Sequence, residues 1–179
     1  MQLRNPPRST GSDPREPEYR YIQNMLNLDR VLSRPGATIR FAMLDGDARP
    51  VVLIHGAGMD HSMFAPQVLA LRDAGHSVVA FDVRGHGASH LEPGTRFSGQ
   101  AALDDLAALL DHLSLQQPTL VGHSLGGNIA QALVRRDPGR AGALVAVDST
   151  WNTGPLSRGE RSAPITCANL AWPYSTSPQ

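Results

Sequence analysis

One serine flanked by glycines has the residue type and the spacing expected of a nucleophile. The residues Gly122-His123-Ser124-Leu125-Gly126 fit the pattern G-x-S-x-G. The apolar run at 118–121 predicts a buried strand before them, and residues 125–136 predict a helix after them. On a sharp strand-to-helix turn the serine hydroxyl is exposed, and the helix N-terminus favours a developing negative charge. We therefore expect Ser124 to be a nucleophile, the alternative being a glycine-rich turn with a buried serine.

The composition excludes several other kinds of chemistry. The chain has 179 residues, enough for one domain with its own core, and 41% of them are apolar. All 16 basic residues are arginines. A lysine therefore cannot act in a phosphate-binding loop, form a Schiff base or activate Ser124 as its base. Because the formal net charge is zero and no basic block is present, nucleic acid is not an expected partner.

No cofactor or metal signature is found in the sequence. His86 and His90 are four residues apart, but they lie in a glycine-rich turn, so a metal site is not expected there. No apolar stretch is long enough to span a bilayer, and none follows the N-terminal arginines as a secretory signal requires. The single cysteine, Cys167, excludes an internal disulfide and fits a reducing compartment. We therefore expect a cytoplasmic protein without cofactors that acts on a small molecule.

Strand and helix patterns alternate through the middle of the chain. Runs rich in apolar and β-branched residues predict strands at 38–44, 51–54, 77–81, 118–121 and 143–147. Helices are predicted near 63–74, at 99–113 and at 125–136. The alternation predicts an α/β fold, a three-layer αβα sandwich with a mostly parallel sheet. Asp104 and Asp105 are both expected on the exposed side of the second helix.

The two ends of the chain differ from this middle part. Residues 1–24 are rich in proline, arginine, serine and acidic residues and predict a disordered tail. The folded core is expected at 25–150. After Asp148 the alternation stops, and we expect no strand in the proline-containing segment that follows.

Three motifs follow three of the predicted strands in order. His55-Gly56-Ala57-Gly58 follows the strand at 51–54, and the segment from Asp82 to Ser89 follows the strand at 77–81. The second segment fits the pattern D-x-R-G-x-G-x-S, and the third motif is the pentapeptide around Ser124. With these motifs, roughly residues 28–155 resemble the α/β-hydrolase fold superfamily in its esterase-like branch with a serine nucleophile. The resemblance implies hydrolysis of carboxylic esters or related acyl compounds through a serine acyl-enzyme.

The resemblance also implies roles for particular positions. Ser124 would attack the acyl carbonyl, and the backbone N–H groups of Leu125 and Ala57 would bind the resulting oxyanion. His55 is expected to hold its loop by hydrogen bonding, and Arg84 to brace its turn, with substrate contact as the alternative for Arg84. The remaining structural residues expected from the three motifs are Gly56, Asp82, Gly122 and Gly126.

The base that a serine hydroxyl needs has no evident counterpart. In the superfamily the acid and then the histidine follow the serine, but all seven histidines here lie at or before position 123. His123 is not expected to be the base, because the turn directs its side chain away. Asp148 ends the last predicted strand, where some family members place the acid. The alternative is that Asp148 caps the turn that follows.

The sequence therefore resembles the first part of such a hydrolase, with the last strands of the core missing. Residues 151–179 are expected to begin a cap region and then to continue as an irregular or non-native tail. The strand at 143–147 would then be an open sheet edge, through which copies of the chain could associate. Three hypotheses stay open: a serine hydrolase that is inactive for want of a histidine, a non-catalytic small-molecule-binding homologue, and a defective fragment.

Overall fold

Apolar runs that can be buried on both faces form the centre of a single sheet. The computed structural model describes residues 26–149 and the backbone of a two-residue strand at 165–166. Within these residues the strands are β1 Arg30–Arg34, β2 Ala37–Leu44, β3 Ala48–Ile54, β4 His76–Phe81, β5 His90–Leu91, β6 Thr119–His123, β7 Ala143–Val147 and β8 Ile165–Thr166. Their order is β1-β2-β4-β3-β6-β7-β8, with β5 paired to β2. The expected tail at 1–24 and most of the segment at 151–179 lie outside the described residues.

The sheet is parallel in its centre and antiparallel at one side. β4, β3, β6, β7 and β8 run parallel to one another, whereas β2 pairs in antiparallel fashion with β1, β4 and β5. Pro35 and Gly36 form the two-residue turn between β1 and β2, and Gly36 has a φ of 67°. Proline restricts the first turn residue and glycine accepts the positive φ of the second, so this dipeptide suits a tight hairpin.

Helices cover both faces of the sheet. They are α1 Ala65–Asp73, α2 Gly99–His112 and α3 Leu125–Arg136, and a short 3-10 helix, His61–Phe64, precedes α1. Because successive strand residues point to opposite faces, Val51 and Leu53 pack under α1, and Val52 and Ile54 pack under α2 and α3. The predicted three-layer sandwich with a mostly parallel sheet is thus confirmed. No helix in the described part of the chain has the length and apolar character needed to cross a bilayer.

Several expected boundaries need correction. The helix expected near 63–74 begins as an α-helix only at Ala65, and Pro66 lies in its first turn, where a missing N–H does no harm. β1 and β5 were not expected from the sequence. β8 contradicts the expectation of no strand after Asp148, because Ile165 and Thr166 pair with Leu144 and Val145 of β7. At these two positions β7 is therefore not the open edge that the sequence led us to expect.

The chain connections place a topological switch point between β3 and β6. From β3 the chain continues through α1 to β4 on one side, and from β6 it continues through α3 to β7 on the other side. Strand order reverses between these two neighbours. In open α/β sheets, ligands bind outside the carboxyl ends of the strands at such a switch point. We therefore expect a ligand-binding site at the segments that follow Ile54 and His123.

Asp105 is buried, contrary to the expectation that it lies with Asp104 on the exposed side of α2. Its carboxylate is 2% exposed and accepts hydrogen bonds from Arg84 Nε at 2.7 Å and Arg84 Nη2 at 2.9 Å. Arg34 Nε of β1 donates to the same group at 3.1 Å. The physical reason is that α2 packs against β1. Asp105, beside the apolar stripe of α2, therefore faces the guanidinium groups of Arg34 and Arg84.

We predict that Asp105→Asn lowers the free energy of unfolding by about 3 kcal/mol, because removing one partner leaves a buried cation uncompensated. Asp104→Asn is the matched control. Asp104 pairs with Arg136 at the surface, so its loss should change stability by less than about 1 kcal/mol. Urea denaturation measures both. Equal losses in the two variants would contradict the role of the buried cluster.

Candidate active site

The backbone of Ser124 is sharply bent between β6 and α3. Its φ is 49° and its ψ is −113°, a conformation that residues other than glycine adopt only under strain. Its N–H donates to the carbonyl of Val147 at 2.9 Å, and its own carbonyl accepts from the N–H of Asn128 at 3.1 Å. The residue is only partly buried. Ser124 thus lies on the strand-to-helix bend that the sequence predicts and not in the apolar interior.

Glycines make this bend possible. A Cβ atom on Gly126 would overlap the carbonyl oxygen of Ile54 at the end of β3, and one on Gly122 would overlap the backbone of Gly126. Helix α3 therefore begins in direct contact with the sheet. The N–H of Leu125, in the first turn of α3, has no acceptor within the helix and is available to a ligand.

The loop after β3 lies beside the bend. Ile54 pairs with Gly122 in the sheet, so the segment from His55 onward starts at the level of the bend. Ala57 is exposed in this loop. The His123 ring lies against Gly56, since a Cβ on Gly56 would be 2.6 Å from its Nδ1. The structure therefore brings the Ala57 and Leu125 segments to the same ends of neighbouring strands.

His55 is a buried, neutral anchor of that loop. The N–H of Val83 donates to His55 Nε2 at 2.9 Å, so this nitrogen is unprotonated and Nδ1 donates to the carbonyl of Gly56 at 2.8 Å. Burial lowers the pKa of His55, although the Gly56 hydrogen bond and the charge of Asp82 act in the opposite direction. With both nitrogens engaged and the proton disfavoured, His55 is unsuited to act as a base.

Asp82 is the second buried anchor, and it binds a residue that the sequence analysis missed. Its Oδ1 accepts from the N–H of His61 at 2.8 Å and from His61 Nδ1 at 2.9 Å, and its Oδ2 accepts from the N–H of Ala88 at 2.7 Å. Burial alone raises the pKa of Asp82, but the hydrogen bonds from the His61 ring, the Ala88 N–H and the His61 N–H together lower it. No local pattern pointed to His61, because its partner lies 21 residues away.

Asp148 lies directly beside the bend in the register of the sheet. His123 pairs with Val147, so Ser124 and Asp148 are the first residues beyond a pair of neighbouring strand ends. Asp148 is exposed and has a positive φ of 45°. The carbonyl of Val147 accepts from the N–H of Ser124 and also from Ser149 Oγ at 2.9 Å. The three residues 147–149 are thereby tied to the bend.

Ser124 Oγ has no histidine partner in residues 26–149, which contain all seven histidines. The His86 ring packs between His55 and Phe97, with centroid distances of 5.3 and 6.0 Å, and its Nδ1 lies 3.1 Å from the carbonyl of Arg84. In the same residues no three His, Cys, Asp or Glu side chains are grouped so that they could hold a metal ion. No base for the Ser124 hydroxyl is therefore observed in residues 26–149.

Comparison with known proteins decides the family. The model of the alpha/beta hydrolase fold matches residues 49–163, more than half of the chain. The chain belongs to the alpha/beta hydrolase family. This confirms the resemblance drawn from the three motifs.

Family relatives carry several enzymatic names. The chain is 40% identical over 108 residues to the non-heme chloroperoxidase CPO-A1 of Kitasatospora aureofaciens, covering 58% of this chain and 38% of that protein. It is 32% identical over 140 residues to the 2-hydroxymuconate semialdehyde hydrolase of Pseudomonas sp. strain CF600, covering 76% and 49%. A structure from work on carboxylesterases of the thaumarchaeon Nitrososphaera gargenis superposes with a TM-score of 0.62 at 30% identity, covering 68% and 46%. The chain thus spans half or less of the length of these relatives.

Alanine at position 126 should destabilise this alpha/beta hydrolase strongly. Its methyl group would meet the Ile54 carbonyl, and the start of α3 would have to move off the sheet, costing about 3 kcal/mol or more. The matched control is Gly99→Ala at the start of α2, where a Cβ meets no atom within 4 Å. That variant should be neutral or up to about 1 kcal/mol more stable. Thermal and urea unfolding compare them, and similar midpoints would argue against the close contact.

The lowered pKa of His55 predicts a loss of stability in mild acid. As the pH falls through the ordinary value of 6.5, the unfolded chain binds a proton that the folded chain does not bind. The free energy of unfolding should then decrease by up to about 1.4 kcal/mol per pH unit for this one group. Urea denaturation between pH 5 and pH 8 measures the slope. His55→Gln keeps an acceptor for Val83 but cannot titrate, so an unchanged slope in that variant would refute the assignment.

Proposed function

We propose that this chain provides the nucleophile and the oxyanion hole of a serine hydrolase that acts on small carboxylic esters or related acyl compounds. The strained bend at Ser124, in direct contact with the end of β3, carries the proposal. Ser124 is held in this conformation at the N-terminus of a helix and at the switch point of the sheet. This placement suits a nucleophile.

The proposed reaction uses one hydroxyl and two amides. Ser124 Oγ gives up its proton to solvent water as it forms a bond to the acyl carbon, and the carbonyl oxygen takes up negative charge in the tetrahedral intermediate. The N–H groups of Leu125 and Ala57 donate to that oxygen, and each such donor is worth about 3 kcal/mol of barrier. The intermediate then expels the alcohol as leaving group, and water later releases the acid from the acyl-serine.

The base and the acid are the open part of the mechanism. We keep Asp148 as the proposed acid, since it follows the neighbouring strand end. In the family order a histidine follows the acid, and no histidine follows Ser124 in the 179 residues. We therefore expect slow turnover, with about 10³-fold acceleration over water from the oxyanion hole and binding.

The same missing contact favours a second candidate function. Ser124 Oγ has no imidazole partner in residues 26–149. The switch point between β3 and β6 would then bind a small apolar acyl compound without hydrolysing it. The two functions differ in one observable property, the formation of a covalent bond at Ser124.

Covalent labelling separates these candidates. We expect a fluorophosphonate probe to label the wild-type chain at Ser124 and not to label Ser124→Ala, with slow release of p-nitrophenol from p-nitrophenyl acetate showing the same dependence. Ser62→Ala is the matched control, because Ser62 is an exposed serine directly after the loop that carries Ala57 and does not lie on the bend. Mass spectrometry locates the adduct. Reversible binding of the ester without an adduct would support the non-catalytic binding function. Aggregation without binding or adduct formation would support a defective fragment.

A further inference from the structure

The loop that carries Ala57 is held at both ends by the turn that follows β4. At its start, His55 bonds the carbonyl of Gly56 and receives the N–H of Val83. At its end, the backbone N–H and the ring Nδ1 of His61 both donate to Asp82 Oδ1. The five residues between these anchors, Gly56 to Asp60, include the amide proposed for the oxyanion hole.

Asp82 is a fixed point for this loop. Its side chain is 0% exposed, Ala88 donates to its other oxygen, and a Cβ on Gly87 would overlap that oxygen. His55 Nε2, which accepts from Val83, lies 3.8 Å from the oxygen that His61 binds, so the two anchor points are close together although His55 does not bond to this carboxylate. The carboxylate therefore has no room to follow the loop if the loop moves.

His61 is the adjustable member of this arrangement. Its side chain is 21% exposed, and it is the one anchor whose ring is not enclosed by the core. Because a carboxylate oxygen of Asp82 can only accept a hydrogen bond, His61 Nδ1 carries the proton in this contact. Asp60 adds a local brace, since its Oδ1 accepts from the N–H of Ser62 at 2.9 Å. Loss of the ring contact would leave the end of the loop held to Asp82 by the His61 backbone N–H alone, and it would leave His55 in place.

We propose that His61 is a positioning residue for the oxyanion hole, acting through Asp82 to set the place of the Ala57 amide. This role rests on the proposed function of Ser124. Oxyanion donors are effective only at about 2.7–3.1 Å from the charged oxygen, and a misplacement of about 1 Å can lower a rate about 100-fold. His61 does not touch the reacting atoms in this scheme.

Two substitutions at one position test the proposal on the full 179-residue chain. His61→Ala removes the ring donor, whereas His61→Asn keeps a side-chain N–H near the place of Nδ1. We expect His61→Ala to speed amide hydrogen exchange at residues 56–60 by about 10-fold or more and to leave exchange in β3 and β6 unchanged. His61→Asn should stay close to the wild type. His90→Ala, at an exposed histidine of β5, is the control and should change nothing.

Labelling kinetics supply the readout that a merely structural role would not move. With a fluorophosphonate, His61→Ala should lower the limiting rate of adduct formation about 10-fold or more, leave the half-saturating probe concentration unchanged, and His61→Asn should restore the rate. Unchanged exchange at 56–60, or equal defects in the Ala and Asn variants, would overturn the role of His61. Failure of the wild type to label at Ser124 would instead overturn the proposed function, and the exchange experiment distinguishes the two results.

Discussion

The contact between the start of α3 and the end of β3 determines the rest of the site. With Gly126 against the carbonyl of Ile54, the chain has only a few residues in which to turn from strand to helix. The turn is made at Ser124, whose positive φ typically costs about 1–3 kcal/mol. Apolar burial along the helix offsets this strain, since Ile129, Leu133 and Val134 all lie in the core. The position of Ser124 on the bend therefore depends on the close contact between helix and sheet.

Two buried carboxylates then hold the loops around the bend, and they do so with different partners. Asp105 is neutralised by the guanidinium groups of Arg84 and Arg34, which tie α2 to the hairpin and to the turn after β4. Asp82, in the same turn, is satisfied chiefly by N–H donors of the chain and by the His61 ring. A buried charge is tolerated only when it is fully paired or hydrogen-bonded. The turn after β4 consequently connects α2 with the loop that follows β3.

The sequence predicted those parts of the structure that local patterns determine. The central strands follow from uninterrupted apolar runs, and the bounds of α3 follow from its helical periodicity and the glycines before it. β1 was not predicted because the segment Arg30–Arg34 is a mostly exposed edge strand with arginines at both ends. The Pro35-Gly36 dipeptide was nevertheless a usable hairpin signal. β5 and β8 have two residues each and are determined by pairing alone. Asp105 and His61 were missed because their partners are remote in sequence and no periodicity encodes them.

The same distinction explains why the bend at Ser124 could be predicted from the local sequence and a partner for its side chain could not. Ser124 is specified by its immediate neighbours, whereas any partner must arrive through the register of another strand. In that register Asp148 and Ser124 follow paired strand ends, and both have a positive φ without being glycine. Strained residues tend to cluster where a side chain must be held for use, and here two lie on adjacent strand ends that share the carbonyl of Val147. Asp adopts a positive φ readily in turns, and Ser114 and Gln117 adopt one in the loop before β6. The conformation of Asp148 therefore fits a cap of the turn after β7 as well as it fits the acid proposed above.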